Sequence, residues 1–293
     1  MRLPISRIIP NDISPFFLVQ PINTTFICLF VLVSLSCSDD VLSNRKKTPF
    51  FPSIISVSHR GYTRDGAIEN TAEAYKHAKM AGFQYGETDV QWTKDDVPVC
   101  CHLDFFQDNF TKNTIHIKDY TLEELRRFNY MGTTISTLEE VMDTCKKYSL
   151  GLYLDRFTSF NAKRKQIIYD LIERFGKENV CYLFGSMEDV GIRQALEFDS
   201  CATIGILSFK TINMPLVEFA NKISTPENRI ILDLDFSNNP VDTLKKYRPL
   251  LNANVEYGIF TINNKKSYKK YLPFASSITS DFYSEKMVWD DAY

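Results

Sequence analysis

Short apolar runs alternate with helix-like segments along most of the chain. Runs such as 54–58, 150–154 and 229–234 are bounded by polar or turn residues, which predicts buried β-strands. Several of the intervening segments begin with capping signals, such as Thr121 and Thr137, each followed three residues later by glutamate. Regular alternation of strand and helix implies a parallel sheet. About eight such units fit a closed, single-domain (β/α)8 TIM barrel of the α/β class better than an open sheet.

The segments that follow the predicted strands exclude one class of function and indicate a lid. No Gly-x-Gly-x-x-Gly motif follows a strand, which removes the main support for a dinucleotide-binding sheet. A polar, aromatic-rich insertion at 104–118 follows the third strand in the chain. We expect this small insertion at the barrel mouth, as a lid or a wall of the substrate pocket.

The charge and the cysteine content argue against nucleic-acid binding and against a cysteine-based metal site. The chain has 293 residues and a formal net charge of −2, with its lysines and arginines scattered rather than clustered. A nucleic-acid partner is therefore not expected. None of the seven cysteines has the spacing of a metal site. Five lie in apolar runs, which predicts buried free thiols: Cys100, Cys101, Cys145, Cys181 and Cys201.

The amino-terminal segment differs in kind from the rest. The apolar stretch 26–36 is too short to span a bilayer but suits the core of a secretory signal. Because Cys37 follows it directly, the segment resembles a bacterial lipoprotein signal, with an ordinary signal peptide as the alternative. We expect a signal peptide over 1–37 with Cys37 lipidated, a polar tether over 38–50 and the barrel over 51–293. We expect a lipoprotein of a bacterial outer membrane, located in the periplasm or on the cell surface, that contacts the membrane by its lipid anchor only.

Titratable residues lie at the carboxyl ends of the first four predicted strands. His59 follows the first strand, His102 the third and Asp155 the fourth, while Glu87 and Asp89 end the second. Barrel enzymes build their sites at this face. Glu87 and Asp89 are two residues apart, so they point to the same face of a strand. Two like charges facing an interior require a cation, and oxygen ligands favour Mg²⁺ or Ca²⁺.

The order and spacing of these motifs resemble the glycerophosphodiester phosphodiesterase family. The resemblance covers most of residues 53–285 and is carried by His59-Arg60-Gly61, Glu69-Asn70-Thr71, Glu87-Thr88-Asp89, Thr93-Lys94-Asp95, Pro98 to His102, Ser136 to Glu140, Phe260 to Asn263 and Ile278 to Asp281. It implies metal-dependent hydrolysis of a small-molecule glycerophosphodiester to sn-glycerol 3-phosphate and an alcohol, with one divalent cation as cofactor.

By position, the resemblance also implies a role for individual residues. His59 and His102 would be the general base and acid, and Arg60 would hold a phosphate oxygen. The metal ligands would be Glu87, Asp89 and Asp155. The remaining candidates are expected around the site, as pocket residues or behind the ligands: Glu69, Asn70, Phe157 and Phe260.

Three positions depart from the family pattern. Leu103 stands where the family has aspartate, Asp155 where it has the longer glutamate, and Phe157 where it has lysine. On a regular strand Arg156 would point away from the site, so we expect one positive charge to be missing near the phosphate. These departures leave two alternatives open: a non-catalytic barrel that binds phosphodiesters or glycans, and a cyclising phosphodiesterase similar to lysophospholipase D.

Other polar residues are weaker candidates. Asp233 and Asp235 repeat the two-apart carboxylate spacing on a later strand, which makes them a rival cluster without a nearby histidine. His77 and His116 are expected to be solvated.

Overall fold

The structure is a computed structural model that describes residues 55–158 and 161–290. Within these residues eleven strands follow one another in the order β1 Ile55–Ser58, β2 Tyr85–Trp92, β3 Pro98–Cys100, β4 Phe105–Gln107, β5 Thr114–His116, β6 Gly151–Asp155, β7 Val180–Phe184, β8 Thr203–Ser208, β9 Arg229–Asp235, β10 Val255–Phe260 and β11 Ser277–Ser280. The helices of the same part of the chain are α1 Ala72–Met80, α2 Leu122–Leu125, α3 Leu138–Lys147, α4 Ala162–Phe175, α5 Val190–Phe198, α6 Met214–Ile223, α7 Val241–Tyr247, α8 Lys265–Tyr271 and α9 Glu285–Trp289.

Eight of the strands form a closed parallel barrel. The order around the barrel is β1, β2, β6, β7, β8, β9, β10 and β11, and β1 pairs with both β2 and β11. The predicted (β/α)8 barrel is therefore confirmed. The predicted capping boxes are also present, because the Thr121 and Thr137 side chains accept from the amides of Glu124 and Glu140.

The fold differs from the prediction mainly in the identity of the third barrel strand. Residues 98–100 form β3, which pairs antiparallel with the end of β2 and does not enter the barrel. The third barrel strand is β6, whose residues pair in parallel with β2. A short apolar run fits either arrangement, so its pattern could not distinguish a barrel strand from a hairpin strand.

The insertion after β3 is a small ordered unit with its own core. Strands β4 and β5 pair antiparallel within it. Phe106 and Ile115 pack with Leu125, Tyr130 and Ile135 in a cluster separate from the main core. Asp108 ties the unit together by accepting hydrogen bonds from the amides of Thr111 and Asn129.

Apolar side chains fill the inside of the barrel below its mouth. Val57, Tyr153, Cys181, Leu183 and Ile231 form one buried cluster contributed by different barrel strands. A larger apolar layer lies between the barrel and its helices. The barrel is consequently a packed core and not a channel, so a ligand can enter only from the mouth.

The cysteines agree with the prediction at four positions. Cys100, Cys101, Cys145 and Cys181 are buried free thiols. The prediction of a buried thiol is wrong for Cys201, which is only partly buried.

The expected signal peptide over 1–37, Cys37 and the tether over 38–50 lie outside the described residues. None of the helices described above is both long enough and apolar enough to cross a membrane.

Candidate active site

A cavity of about 450 Å³ opens at the carboxyl ends of the barrel strands. Its lining brings together most of the residues singled out from the sequence and several others: His59, Arg60, Glu87, Asp89, His102, Asp155, Arg156, Leu183, Leu207, Phe209, Asp233, Asp235, Phe236, Ser237, Phe260, Thr261 and Thr279. A larger depression of about 770 Å³, lined by residues of α1, α3 and the segment 131–136, contains none of the carboxylates Glu87, Asp89 and Asp155.

Three carboxylates converge on one point of this cavity. Single ligand atoms of Glu87, Asp89 and Asp155 all lie within 4.8 Å of one another. The convergence follows from the strand pairing, because Asp89 is the register partner of Asp155 on the neighbouring strand and Glu87 lies two residues earlier on the same face. Sequence and topology together therefore assemble an all-oxygen cluster of the kind that binds a hard divalent cation.

The electrostatics of this cluster favour a bound cation. Glu87 is only 6% exposed, and burial together with the charges of Asp89 and Asp155 raises its pKa well above the usual range. Burial and the charge of Asp89 raise the pKa of Asp155 to about 6. These three residues fit a divalent metal, since a cation between them would relieve both the desolvation and the mutual repulsion.

His59 is held in one orientation by a carboxylate that the sequence reasoning did not select. Its Nδ1 lies 2.7 Å from Asp281 Oδ1. Burial opposes ionisation of Asp281, but the hydrogen bond and charge of His59 and a hydrogen bond from Asn263 lower its pKa below the usual value. A carboxylate accepts, so Nδ1 carries the proton. In the neutral form of the ring the lone pair is then on Nε2, which lies 4.0 Å from Glu87 Oε2.

Arg60 links the carboxylate cluster to the loop after β1. Its backbone is left-handed, with φ of +56°, and its amide donates to Glu87 Oε2 at 3.0 Å. Its guanidinium lies 3.4 Å from Asp89 Oδ2 through Nε and 3.4 Å from Glu69 Oε2 through Nη1. Glu69 therefore contacts the site through Arg60 rather than by lining the cavity.

Asn70 lies just before helix α1 and behind the carboxylate of Asp89. The N-cap of α1 is Thr71, whose side chain accepts from the amide of Ala74. Asn70 has φ of +58° and is fully buried, and its Nδ2 donates to Asp89 Oδ2 at 3.3 Å. Its Oδ1 accepts from the Thr88 hydroxyl at 2.9 Å. Asn70 therefore precedes the N-cap, and its amide lies behind Asp89.

His102 reaches the cavity by a different path from the one predicted. Strand β3 returns antiparallel along the extension of β2, and the amide of Cys101 donates to the carbonyl of Asp89 at 3.0 Å. His102 thus lies beside Asp89 although it does not end a barrel strand. Partial burial, together with the charges of Arg60 and Arg156, lowers the pKa of His102.

The structure corrects the expectation of a missing positive charge. Phe157 is 3% exposed and packs in the core, with its ring centroid 5.5 Å from that of Phe184, so it does not line the cavity. Arg156 has φ of +57°, which ends the regular alternation of β6. Its Nε lies 3.5 Å from Asp89 Oδ1, and its Nη2 lies 3.4 Å from His102 Nε2. Arg156 therefore supplies a cation at the mouth.

The cavity has two chemically distinct sides. The polar arc consists of His59, Arg60, Glu87, Asp89, His102, Asp155 and Arg156, from β1, β2, β6 and the turns that follow β1, β3 and β6. The aromatic arc lies at the carboxyl ends of the neighbouring strands β8, β9 and β10 and consists of Phe209, Asp233, Asp235, Phe236 and Phe260. Phe260 lines the cavity as expected, and its ring meets that of Phe209 edge to face at 5.1 Å.

Sequence reasoning missed Asp281, Arg156 and Phe209. Asp281 belongs to one of the family-like motifs, and its position just after the last barrel strand could have identified it. No sequence signal marked the left-handed turn that redirects Arg156. Of the remaining histidines, His116 lies in the insertion, and His77 pairs with Asp65 at 2.8 Å without being a cavity residue.

Comparison with known proteins points to the same family as the motifs. The model of the glycerophosphoryl diester phosphodiesterase family matches residues 59–201. Glycerophosphodiester phosphodiesterase 1 of Homo sapiens is 30% identical over 150 residues, which are 46% of this chain and 45% of that protein. A glycerophosphodiester phosphodiesterase of Caldanaerobacter subterraneus is 36% identical over 95 residues, which are 30% of this chain and 38% of that protein. The chain thus spans less than half the length of these relatives, and the predicted resemblance to the family is confirmed.

Solved structures show the same fold. An Oleispira antarctica phosphodiesterase in complex with the product sn-glycerol-3-phosphate has a TM-score of 0.64 at 22% identity, over 80% of this chain and 94% of that chain. A glycerophosphodiester phosphodiesterase from Parabacteroides distasonis has a TM-score of 0.62 at 17% identity, over 79% of this chain and 94% of that chain.

Proposed function

Because this chain is similar to the glycerophosphodiester phosphodiesterase family, we propose that it hydrolyses glycerophosphodiesters to sn-glycerol 3-phosphate and an alcohol. The observation that carries the proposal is the convergence of three carboxylates, two imidazoles and two guanidinium groups on one cavity. The complex of the Oleispira antarctica relative with sn-glycerol-3-phosphate supports the product class.

Glu87, Asp89 and Asp155 would hold one divalent cation, Mg²⁺ or Ca²⁺. Bound there, such a cation would neutralise charge on the non-bridging phosphate oxygens. Asp155 is shorter than the glutamate usual in the family, but it already lies within the 4.8 Å cluster through its pairing with Asp89.

The two histidines would transfer the protons. In its neutral form His59 would present an unprotonated Nε2 to the cavity, because Asp281 keeps the proton on Nδ1, and this would suit a general base. His102 would donate a proton to the leaving alkoxide. Its pKa is lowered by burial and by nearby arginines, and a bound phosphodiester anion beside it would favour the protonated form. The nucleophile is either water or the glycerol hydroxyl of the substrate, through a cyclic phosphate.

Arg60 and Arg156 would bind the remaining phosphate oxygens. Both guanidinium groups lie within 3.5 Å of Asp89, on the side of the cavity that carries the histidines. Arg156 replaces the positive charge that Phe157 seemed to remove, so the main argument for a non-catalytic barrel no longer applies. Leu103, the other departure, is 44% exposed and does not line the cavity.

A turnover assay tests this function. The purified chain is incubated with glycerophosphocholine, glycerophosphoethanolamine and glycerophosphoglycerol in Mg²⁺, Ca²⁺ or Mn²⁺, and released sn-glycerol 3-phosphate is measured. We expect turnover that chelation abolishes and that His59→Ala lowers by about 10³-fold. The matched control is His116→Ala, in the insertion and outside the cavity, which should keep full activity. Absence of turnover with every diester and metal would rule the proposal out, and accumulation of a cyclic phosphate would favour the cyclising alternative.

We also propose that the protein is exported and anchored through a lipid on Cys37. Support comes from the sequence of residues 26–37 alone. Expression in a bacterium with a radiolabelled fatty acid should label the natural chain, and Cys37→Ser should abolish the label. An unlabelled natural chain would indicate an ordinary signal peptide.

A further inference from the structure

The aromatic arc combines apolar rings with carboxylates that the chemistry of the polar arc does not use. Phe209 is 65% exposed, yet it lies at the cavity edge and contacts Phe260. Phe236 lines the same wall, and its amide donates to the carbonyl of Phe260 at 3.0 Å. The carboxyl ends of β8, β9 and β10 therefore bring three phenyl rings to one side of the mouth.

Two carboxylates share that wall with the rings. Asp235 is the register partner of Phe260, and Asp233 lies two residues earlier on the same face of β9. Asp235 Oδ1 accepts only from the amide and hydroxyl of Ser237, at 2.8 and 2.6 Å. Asp233 is 3% exposed, and its Oδ1 makes no hydrogen bond. Within the described part of the chain, neither carboxylate forms an ion pair with lysine or arginine.

Rings and uncompensated carboxylates on one wall match a particular ligand chemistry. A quaternary ammonium group offers positive charge on an apolar surface and has no N–H to satisfy, so it binds best where phenyl faces and carboxylates meet. An acyl chain would leave the carboxylate of Asp235 desolvated without a cation, and a neutral polyol would leave the rings without an apolar partner. The wall thus complements one cationic class of alcohol.

The position of the wall suits the leaving group of the reaction. The phosphate would be held by the polar arc, across the cavity from β8, β9 and β10 in the barrel order. A diester whose alcohol carries a trimethylammonium group can therefore place opposite charges against opposite sides of the cavity. We propose that the aromatic arc is a binding site for the quaternary ammonium alcohol of a choline-type glycerophosphodiester. The placement of the phosphate in the polar arc rests on the proposed function, whereas binding of the ammonium group to the aromatic arc does not.

Binding of choline alone tests the site without requiring turnover. The full chain with Mg²⁺ is titrated with choline and with 3,3-dimethylbutan-1-ol, its uncharged isostere, and the dissociation constants are measured by NMR. We expect choline to bind about tenfold more tightly than the isostere. Phe209→Leu and Asp235→Asn should each weaken choline binding about fivefold, because one removes a ring and the other a charge. Asn at 235 keeps an oxygen for Ser237, and the control Phe110→Leu changes an exposed ring in the insertion.

The turnover assay completes the test. Glycerophosphocholine should show a higher kcat/KM than glycerophosphoglycerol, and Phe209→Leu should reduce that ratio with little change for the neutral diester. Equal binding of choline and its isostere would overturn the inference, even if every diester is hydrolysed, and so would unchanged choline binding in both variants. Selective choline binding that both variants weaken, without hydrolysis of any diester, would uphold this site and contradict the proposed function instead.

Discussion

The polar arc and the aromatic arc face each other across one cavity but are built in opposite ways. In the polar arc, side chains are fixed by hydrogen bonds to groups behind them: Asp281 accepts from His59, Asn70 donates to Asp89, and the backbone amide of Arg60 donates to Glu87. Arg60, Asn70 and Arg156 all adopt left-handed backbone conformations, which cost free energy in non-glycine residues. The aromatic arc has edge-to-face rings and a carboxylate oxygen without a partner.

The difference indicates that the polar arc carries out the chemistry and the aromatic arc selects the leaving group. Groups that move protons and neutralise phosphate charge must be fixed before the substrate arrives, because reorganisation would add to the barrier. A wall that selects a leaving group needs only shape and charge. Substitutions in the polar arc should therefore lower kcat for every diester, whereas substitutions in the aromatic arc should change the preference among diesters.

The largest effect is expected at a metal ligand. Glu87→Gln keeps the shape of the side chain but removes one of the three charges that would hold the cation. We expect activity to fall on the order of 10³-fold with all diesters and the affinity for Mg²⁺ to fall with it. Kinetics and metal titration of the variant measure both. The control is Glu123→Gln, because Glu123 forms an ion pair with exposed Arg127. A Glu87 variant with normal activity would contradict the metal site.

A smaller effect on kcat is expected from substitution of Arg156, which lines the cavity, whereas Phe157 does not. Arg156→Met should lower kcat about 10²-fold, since it removes one charged donor near the phosphate. Arg174→Met, which breaks a surface pair with Glu139, should leave kcat unchanged.

The reciprocal change at position 157 sharpens this comparison. Phe157→Lys restores the family's residue type but places a cation in the apolar core, which should cost about 3 to 5 kcal/mol of unfolding free energy. Chemical denaturation measures this loss. A stable Phe157→Lys variant with higher activity would show that the side chain can turn into the cavity.

Asp281 should affect rate through His59 alone. Asp281→Asn removes the charge that holds the His59 proton on Nδ1, so we expect kcat to fall about tenfold and KM to stay close to its original value. Asp242→Asn on the exposed surface of α7 is the control. A change in KM equal to the change in kcat would assign Asp281 to substrate binding instead.

The smallest effect concerns pH and the metal. Burial and the charge of Asp89 raise the pKa of Asp155 to about 6, so the metal-free folded chain binds a proton there below that pH and releases it above. A cation must displace this proton at pH 5 but not at pH 7.5, and it must also displace any proton on Glu87, whose pKa burial raises as well. Apparent affinity should therefore fall at least about tenfold per pH unit below about 6. The rise in Tm caused by Mg²⁺ should consequently be larger at pH 7.5 than at pH 5. Equal rises at the two pH values would show that the cation does not bind at this carboxylate cluster.

The amino-acid sequence by itself determined the barrel and most of the polar arc. Strand and helix periodicity are local properties, and the carboxyl ends of parallel strands meet at one face whatever the details of packing. His59, Glu87, Asp89 and Asp155 could therefore be placed at the mouth from their positions alone, and the structure brings them together there.

Only the tertiary structure decided how the chain departs from that regular pattern. Strand β3 forms a hairpin with β2 because long-range contacts determine its pairing partner. The apolar pattern of the strand does not indicate that partner. Arg156 faces the cavity and Phe157 the core because one residue adopts φ of +57°, which reverses the alternation that the sequence predicts. The aromatic arc is likewise a product of three neighbouring strands, whose residues Phe209, Asp235 and Phe260 are distant in sequence and meet only when the barrel closes.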